Sequence, residues 1–224
     1  TTLSSSKLNI KIVHPTWKKS FLETGANLDD FQGIIWTGSV LNIYDNKPSI
    51  ERQIELARVL LKKKNKIFGS CWGLQVLTTA AGGLVQKNPK GLEAIISKNI
   101  LVNQSGIAHS IYANKPKQFD SFCWHYDEVS KIPENSTILA SNNYSDVQAL
   151  TFVRGNSEVW CVQYHPEFNP FWVSGLMAMR KNILLDNKVF ENEKEYNFMY
   201  KYLSDINNNK NLESLTSFFT EDEL

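Results

Sequence analysis

The segment Lys66-Ile-Phe-Gly-Ser-Cys-Trp-Gly-Leu-Gln-Val-Leu77 sets Cys71 between an apolar run and a helix-like run, with Gly69 and Gly73 two residues to either side. That is the pattern of a nucleophile elbow. A nucleophile on a sharp strand-to-helix turn takes strained backbone angles, and small flanking residues let neighbouring backbone pass without a Cβ clash. A helix starting near Trp72 would aim its positive end at the sulfur, which favours thiolate over thiol and leaves backbone N–H groups to bind a developing oxyanion.

Working outward, Ile50, Ile54, Ala57, Leu60 and Leu61 share one face of a helical pattern over 50–64, while Glu51, Arg52, Glu55, Arg58 and Lys62 face away. An apolar run at 31–36 precedes this helix and the run at 66–69 follows it. Strand, helix, strand in that order is a βαβ unit with parallel strands and a right-handed crossover. Further strand candidates lie at 8–13, 94–102, 119–124, 136–141, 147–153 and 159–164, each bounded by polar or turn residues. The later ones follow one another through short loops. The fold class read from this is α/β: an open, mostly parallel central sheet flanked by helices, with an added antiparallel portion. Helical pattern returns after Pro170. We expect one domain over 1–186 and a C-terminal extension over 187–224, comprising one docked helix, an Asn-rich linker and an acidic end.

Composition narrows the classes. The chain has 224 residues, and 24 Lys+Arg against 23 Asp+Glu give a formal charge of +1, so nothing in the overall charge favours nucleic acid or an anionic membrane surface. No apolar stretch approaches the roughly 18 residues that a membrane span needs. Cys71, Cys123 and Cys161 are odd in number and lack CxxC spacing, which argues against a disulfide framework or a structural zinc site and fits a reducing cytoplasm. Cys123 and Cys161 fall inside strand candidates and read as core.

A second constellation completes the chemistry. In Val162-Gln-Tyr-His-Pro-Glu-Phe168 a strand candidate ends at His165, with Glu167 two residues on. A carboxylate so placed can accept a hydrogen bond from one imidazole nitrogen and fix the tautomer, leaving the other nitrogen to take a proton from a thiol.

Four motifs in order carry a resemblance: Gly33-Ile-Ile-Trp-Thr-Gly-Ser39, Gly69-Ser-Cys-Trp-Gly-Leu-Gln75, Trp124-His-Tyr-Asp-Glu-Val129 and Gln163-Tyr-His-Pro-Glu-Phe168. With these the chain resembles the class I, triad-type glutamine amidotransferases, and within them the amidotransferase domain of GMP synthase and its stand-alone relatives, over residues 8–171. The resemblance implies a flavodoxin-like sheet, Cys71 as nucleophile, His165 as general base and acid, and Glu167 as the residue that orients it. It further implies the N–H groups of Ser39 and Trp72 as oxyanion donors, and Gly38, Gln75, Tyr126 and Asp127 as substrate-binding positions. Most relatives in the GMP synthase group have glycine where Ser39 stands. His125 is read as structural and outside the triad.

The reaction implied is hydrolysis of the side-chain amide of glutamine through a cysteinyl thioester, with no metal and no organic cofactor. The sequence does not identify the ammonia acceptor; with no Ser-Gly-Gly phosphate loop present, a separate synthase subunit is one candidate. The alternative is a γ-glutamyl peptide or amide hydrolase using the same triad. For the C-terminal extension, covering the site, a homodimer contact and padding of the sheet's flank all remain open. Relatives carry a strand and a helix ahead of the segment equivalent to 8–13; we expect either that a unit of that kind precedes the sequence given or that this protein fills the gap differently.

Overall fold

A computed structural model describes residues 9–15, 28–63 and 65–209. Nine strands and six α-helices alternate in the order β1 (Ile34–Trp36), α1 (Pro48–Lys62), β2 (Lys66–Ser70), α2 (Trp72–Ala80), β3 (Leu84–Lys87), β4 (Glu93–Val102), α3 (Gln104–Ile107), β5 (Gln118–His125), β6 (Asp127–Lys131), β7 (Ser136–Ser141), β8 (Ala149–Arg154), β9 (Ser157–Val162), α4 (Pro170–Met179), α5 (Lys181–Asp186) and α6 (Glu193–Asn209) among the described residues.

Seven strands form one mixed sheet in the order β1-β2-β9-β8-β7-β4-β5. The β1–β2 and β2–β9 pairs are parallel, and the remaining junctions are antiparallel. The architecture is the expected α/β class, with the βαβ unit β1-α1-β2 on its parallel side; among the described strands the antiparallel portion is the larger, where a mostly parallel sheet was expected. Helix α1 opens with Pro48 at its first position, where a missing N–H costs nothing, and buries Ile50, Ile54, Ala57, Leu60 and Leu61. Alternate strand residues serve opposite faces: Ile67 enters the core under α1 and α2, while Phe68 packs against the core of Ile100, Leu139 and Tyr164. A third core joins Leu92 and Ile95 to Val173 and Met177 of α4, Leu184 of α5, and Tyr196 and Leu203 of α6. The helix expected in the C-terminal extension is α6, docked on α4. The linker and acidic end expected after it lie outside the described residues.

Two readings change. Residues 9–13 of the strand expected at 8–13 form no strand, and Ile10 and Ile12 are 72% and 77% exposed. Alternating β-branched residues make a strand only with a partner to bond to, and β1 pairs with β2 alone among the described residues. Conversely, β3 and β6 were not expected; they form a separate antiparallel ribbon. Their sequences, Leu-Val-Gln-Lys and Asp-Glu-Val-Ser-Lys, are short and mostly polar because the ribbon lies largely at the surface. The ribbon matters to the site, since the chain leaves the main sheet after His125 and enters β6 at Asp127, with Tyr126 alone between them.

Candidate active site

Cys71 stands between β2 and α2 with φ 52° and ψ −104°, a left-handed backbone that a side-chain-bearing residue adopts at a cost of about 1–3 kcal/mol. Its neighbours explain how the turn fits. A Cβ on Gly73 would lie 2.2 Å from the Trp36 carbonyl oxygen, and one on Gly69 would lie 2.7 Å from the Gly73 carbonyl carbon. The glycines let β1, the end of β2 and the first turn of α2 close on one another. The elbow is then pinned to β9 by the Cys71 N–H, which donates to the Val162 carbonyl at 2.8 Å.

His165 follows β9 and is 5% exposed. Its Nδ1 lies 2.8 Å from Glu167 Oε1, and Ser70 Oγ donates to the same oxygen at 3.2 Å. The residue just before Cys71 thus touches the carboxylate that holds the imidazole. Burial pushes the Glu167 carboxyl up, but the hydrogen bond and charge of His165, its own backbone and Ser70 together bring it below the ordinary value. An ionised Glu167 accepts, so Nδ1 carries the proton and Nε2 is left as the basic nitrogen. The ring stacks on Phe168 at 3.9 Å, and its other edge meets Gly38, where an added Cβ would fall 2.6 Å from Cε1.

Strand β5 carries both partners: the Phe122 carbonyl accepts the His165 N–H at 2.8 Å, and two residues on the Trp124 carbonyl accepts the Cys71 thiol at 3.5 Å. The sulfur itself departs from expectation. Burial pushes the Cys71 thiol up to about 12, against the pull of the Trp72 backbone N–H, and the negative charges of Glu167 and Asp127 add to the rise. The helix end favours thiolate, as read from the sequence, but desolvation outweighs it. Burial therefore favours the protonated sulfur over the thiolate.

The other expected residues distribute around this centre. Ser39 is exposed, and its Oγ accepts the Leu41 N–H at 3.3 Å. Trp72 is buried, with its indole donating to Gln53 Oε1 of α1 at 2.8 Å, and Gln75 is buried one turn along α2. Tyr126 is half-buried, its carbonyl held by the Asn88 N–H at 2.8 Å. Asp127 is 2% exposed and accepts the Tyr44 hydroxyl at 2.8 Å. Cys123 and Cys161 are buried strand residues, as read.

Ser70, Phe168, Tyr44 and Glu93 line this region without having been singled out. The first two lay inside the quoted motifs beside Cys71 and Glu167. Tyr44 and Glu93 had no local signal, since their partners Asp127 and His125 are remote in sequence. Among the described residues no group of three or more His, Cys, Asp or Glu is arranged to hold a metal ion, and no helix is long and apolar enough to cross a membrane.

Residues 2–171 match the family model described as glutamine amidotransferase class-I. The chain belongs to the class I glutamine amidotransferases. It is 31% identical over 167 residues to the gamma-glutamyl-L-1-hydroxyisopropylamide hydrolase of a Pseudomonas species, an alignment covering 73% of this chain and 56% of that one. It is 30% identical over 146 residues to one subunit of the glutamine-hydrolysing GMP synthase of Methanocaldococcus jannaschii, covering 65% of this chain and 70% of that one. The chain spans little more than half the length of several curated relatives, such as the Pseudomonas hydrolase. Among solved structures, a glutamine amidotransferase of Thermotoga maritima superposes with a TM-score of 0.65 at 17% identity, covering 81% of this chain and 74% of that one, which is a likeness of fold.

Proposed function

We propose that this amidotransferase hydrolyses the side-chain amide of glutamine through a cysteinyl thioester, releasing glutamate and ammonia. The observation that carries the reading is the His165–Glu167 pair, 2.8 Å apart, at the end of the strand to which the Cys71 elbow is bonded. Glu167 fixes the proton on Nδ1, so Nε2 takes the Cys71 proton as sulfur attacks the amide carbon. The oxyanion is held by the N–H groups of Ser39 and Trp72. The imidazolium then protonates the departing ammonia, and water activated by the same nitrogen cleaves the thioester. A raised thiol pKa suits this order of events, because the proton passes to His165 in the attacking step. Gly38, Gln75, Tyr126 and Asp127 bind substrate, with the Asp127 carboxylate taking the α-ammonium. No residue of this scheme needs a metal or organic cofactor. The three free thiols fit a reducing cytoplasm.

A second reading, hydrolysis of a γ-glutamyl amide or peptide, draws support from the likeness to the Pseudomonas hydrolase. For the first reading, the likeness to the GMP synthase of Methanocaldococcus jannaschii supports a separate synthase subunit that would receive the ammonia. One screen separates them: glutamine against a panel of γ-glutamyl amides, with Cys71→Ala as control, in the presence and absence of a separate synthase protein. Glutamine turnover that rises with the second protein supports the first reading. Preference for a substituted γ-glutamyl amide supports the second.

A further inference from the structure

Behind the corner 124–127 lies a buried polar layer that the thioester chemistry leaves unused. Glu93, the first residue of β4, pairs in register with His125, the last of β5, and the two are 5% and 3% exposed. His125 Nε2 lies 2.7 Å from Glu93 Oε2, and Nδ1 lies 2.9 Å from the Asp127 carbonyl oxygen. Glu93 also accepts from the side-chain amides of Asn142 at 2.8 Å and Gln148 at 2.9 Å.

The charge state follows from the partners. A carbonyl oxygen only accepts, so Nδ1 carries a proton. Burial pushes the Glu93 carboxyl up, yet the hydrogen bond and charge of His125, with Asn142 and Ser97, bring it below the ordinary value. With an ionised Glu93 on β4 and the Asp127 carbonyl on β6 both accepting, the ring would donate from both nitrogens as an imidazolium. Tyr44, Asp45 and Lys87 act on the Asp127 side of the array, and Tyr144 and Cys123 feel Glu93.

We propose that His125, held by Glu93 as a buried imidazolium, is a positioning residue that keeps the adjoining Asp127 carboxylate ionised to receive the α-ammonium of a glutamine or γ-glutamyl substrate. This rests on Asp127 being the α-ammonium subsite. Burial drives the Asp127 carboxyl upward, and the Tyr44 hydroxyl and the His125 charge are the two largest influences opposing it. One cation bonded to the Glu93 carboxylate and near enough to act on that of Asp127 leaves a single negative charge, which the substrate's ammonium neutralises. The corner is fixed by the same ring: the carbonyl of Trp124 faces the thiol, that of Tyr126 faces Asn88, and that of Asp127 faces His125.

The test compares the better of glutamine and a simple γ-glutamyl amide with the same amide lacking its α-amino group, which for glutamine is glutaramate. His125→Gln keeps an N–H donor for the Asp127 carbonyl and removes the charge. We expect its kcat/KM on the amino-bearing substrate to fall at least about 30-fold, carried by KM, as when one member of a buried charge pair is lost. On the deaminated amide it should stay within about threefold, and Asp127→Asn should show the same contrast. An equal loss on both substrates in His125→Gln, with Asp127→Asn selective, overturns the role of His125 alone. Asp127→Asn without selectivity overturns the subsite reading beneath it. Should His125→Gln not fold, 15N spectra of histidine-labelled wild type decide: both His125 nitrogens protonated at neutral pH supports the proposal, and a singly protonated ring overturns it.

Discussion

At the residue scale, the site turns on which protons sit where. Burial pushes the Cys71 thiol up to about 12, so in the proposed reaction its nucleophilic power comes from proton transfer to His165 and not from a standing thiolate. Cys71→Ala should therefore abolish turnover, by about 10⁴-fold or more, with the melting temperature nearly unchanged, as paired activity and thermal unfolding measurements would show. Glu167→Gln removes the acceptor that fixes the Nδ1 proton, and kcat should fall about 10²–10⁴-fold while KM holds. The sequence made this part legible because His165 and Glu167 are two residues apart and the two glycines flank Cys71. The rise in the thiol pKa was not legible, since it depends on how deeply the folded chain buries Cys71, which no local pattern encodes.

Glu93 brings a pH dependence of stability. Its folded pKa lies below the ordinary 4.5, so its stabilising contribution is fully present above that pH and is lost as pH falls through the depressed folded value. Thermal unfolding followed downward from pH 6 should show a melting temperature that begins to drop near pH 4.5, and Glu93→Gln should flatten that drop after lowering the plateau. Glu167 titrates in the same sense, but its side chain is 43% exposed and solvent screening reduces its share.

At the element scale, the elbow is a three-way close approach among β1, β2 and α2. Gly73→Ala would press a methyl group onto the Trp36 carbonyl at 2.2 Å, and the strand or the helix has to move. A loss of about 1–3 kcal/mol by chemical denaturation, together with loss of activity, is expected. Gly38→Ala differs: the clash is with the His165 ring, so activity should fall far more than stability, and equal losses would argue against this placement of the loop. These elements could be read from the sequence because β2 and α2 announce themselves by strand and helix patterning around Cys71. The ribbon β3–β6 could not, because its residues are mostly surface polar and its pairing joins segments 40 or more positions apart. The converse case is 8–13, whose alternation of apolar residues is real while its described part finds no strand to pair with.

Across the whole molecule, the C-terminal helices belong to the same body as the site. Leu203 of α6 is wholly buried against a core that also holds Val173 and Met177 of α4, the helix that follows the His165–Glu167 segment. Leu203→Ala should cost about 2–5 kcal/mol in denaturant unfolding and should perturb activity through α4 and the Phe168–Trp172 stack. An unchanged midpoint would place α6 outside the cooperative unit. The sequence showed that this region contains a docked helix, but not that its core reaches back to Leu92 and Ile95 of the strand layer, contacts more than 100 residues away.

The proposed reaction depends on covalent capture of the γ-glutamyl group by one sulfur. Acid-quenching the enzyme during steady turnover and mapping the adduct by peptide mass spectrometry measures this directly. The expected result is a γ-glutamyl group on the peptide containing Cys71, absent in Cys71→Ala. Turnover at full rate with that thiol never acylated, or an adduct confined to Cys123 or Cys161, would contradict it.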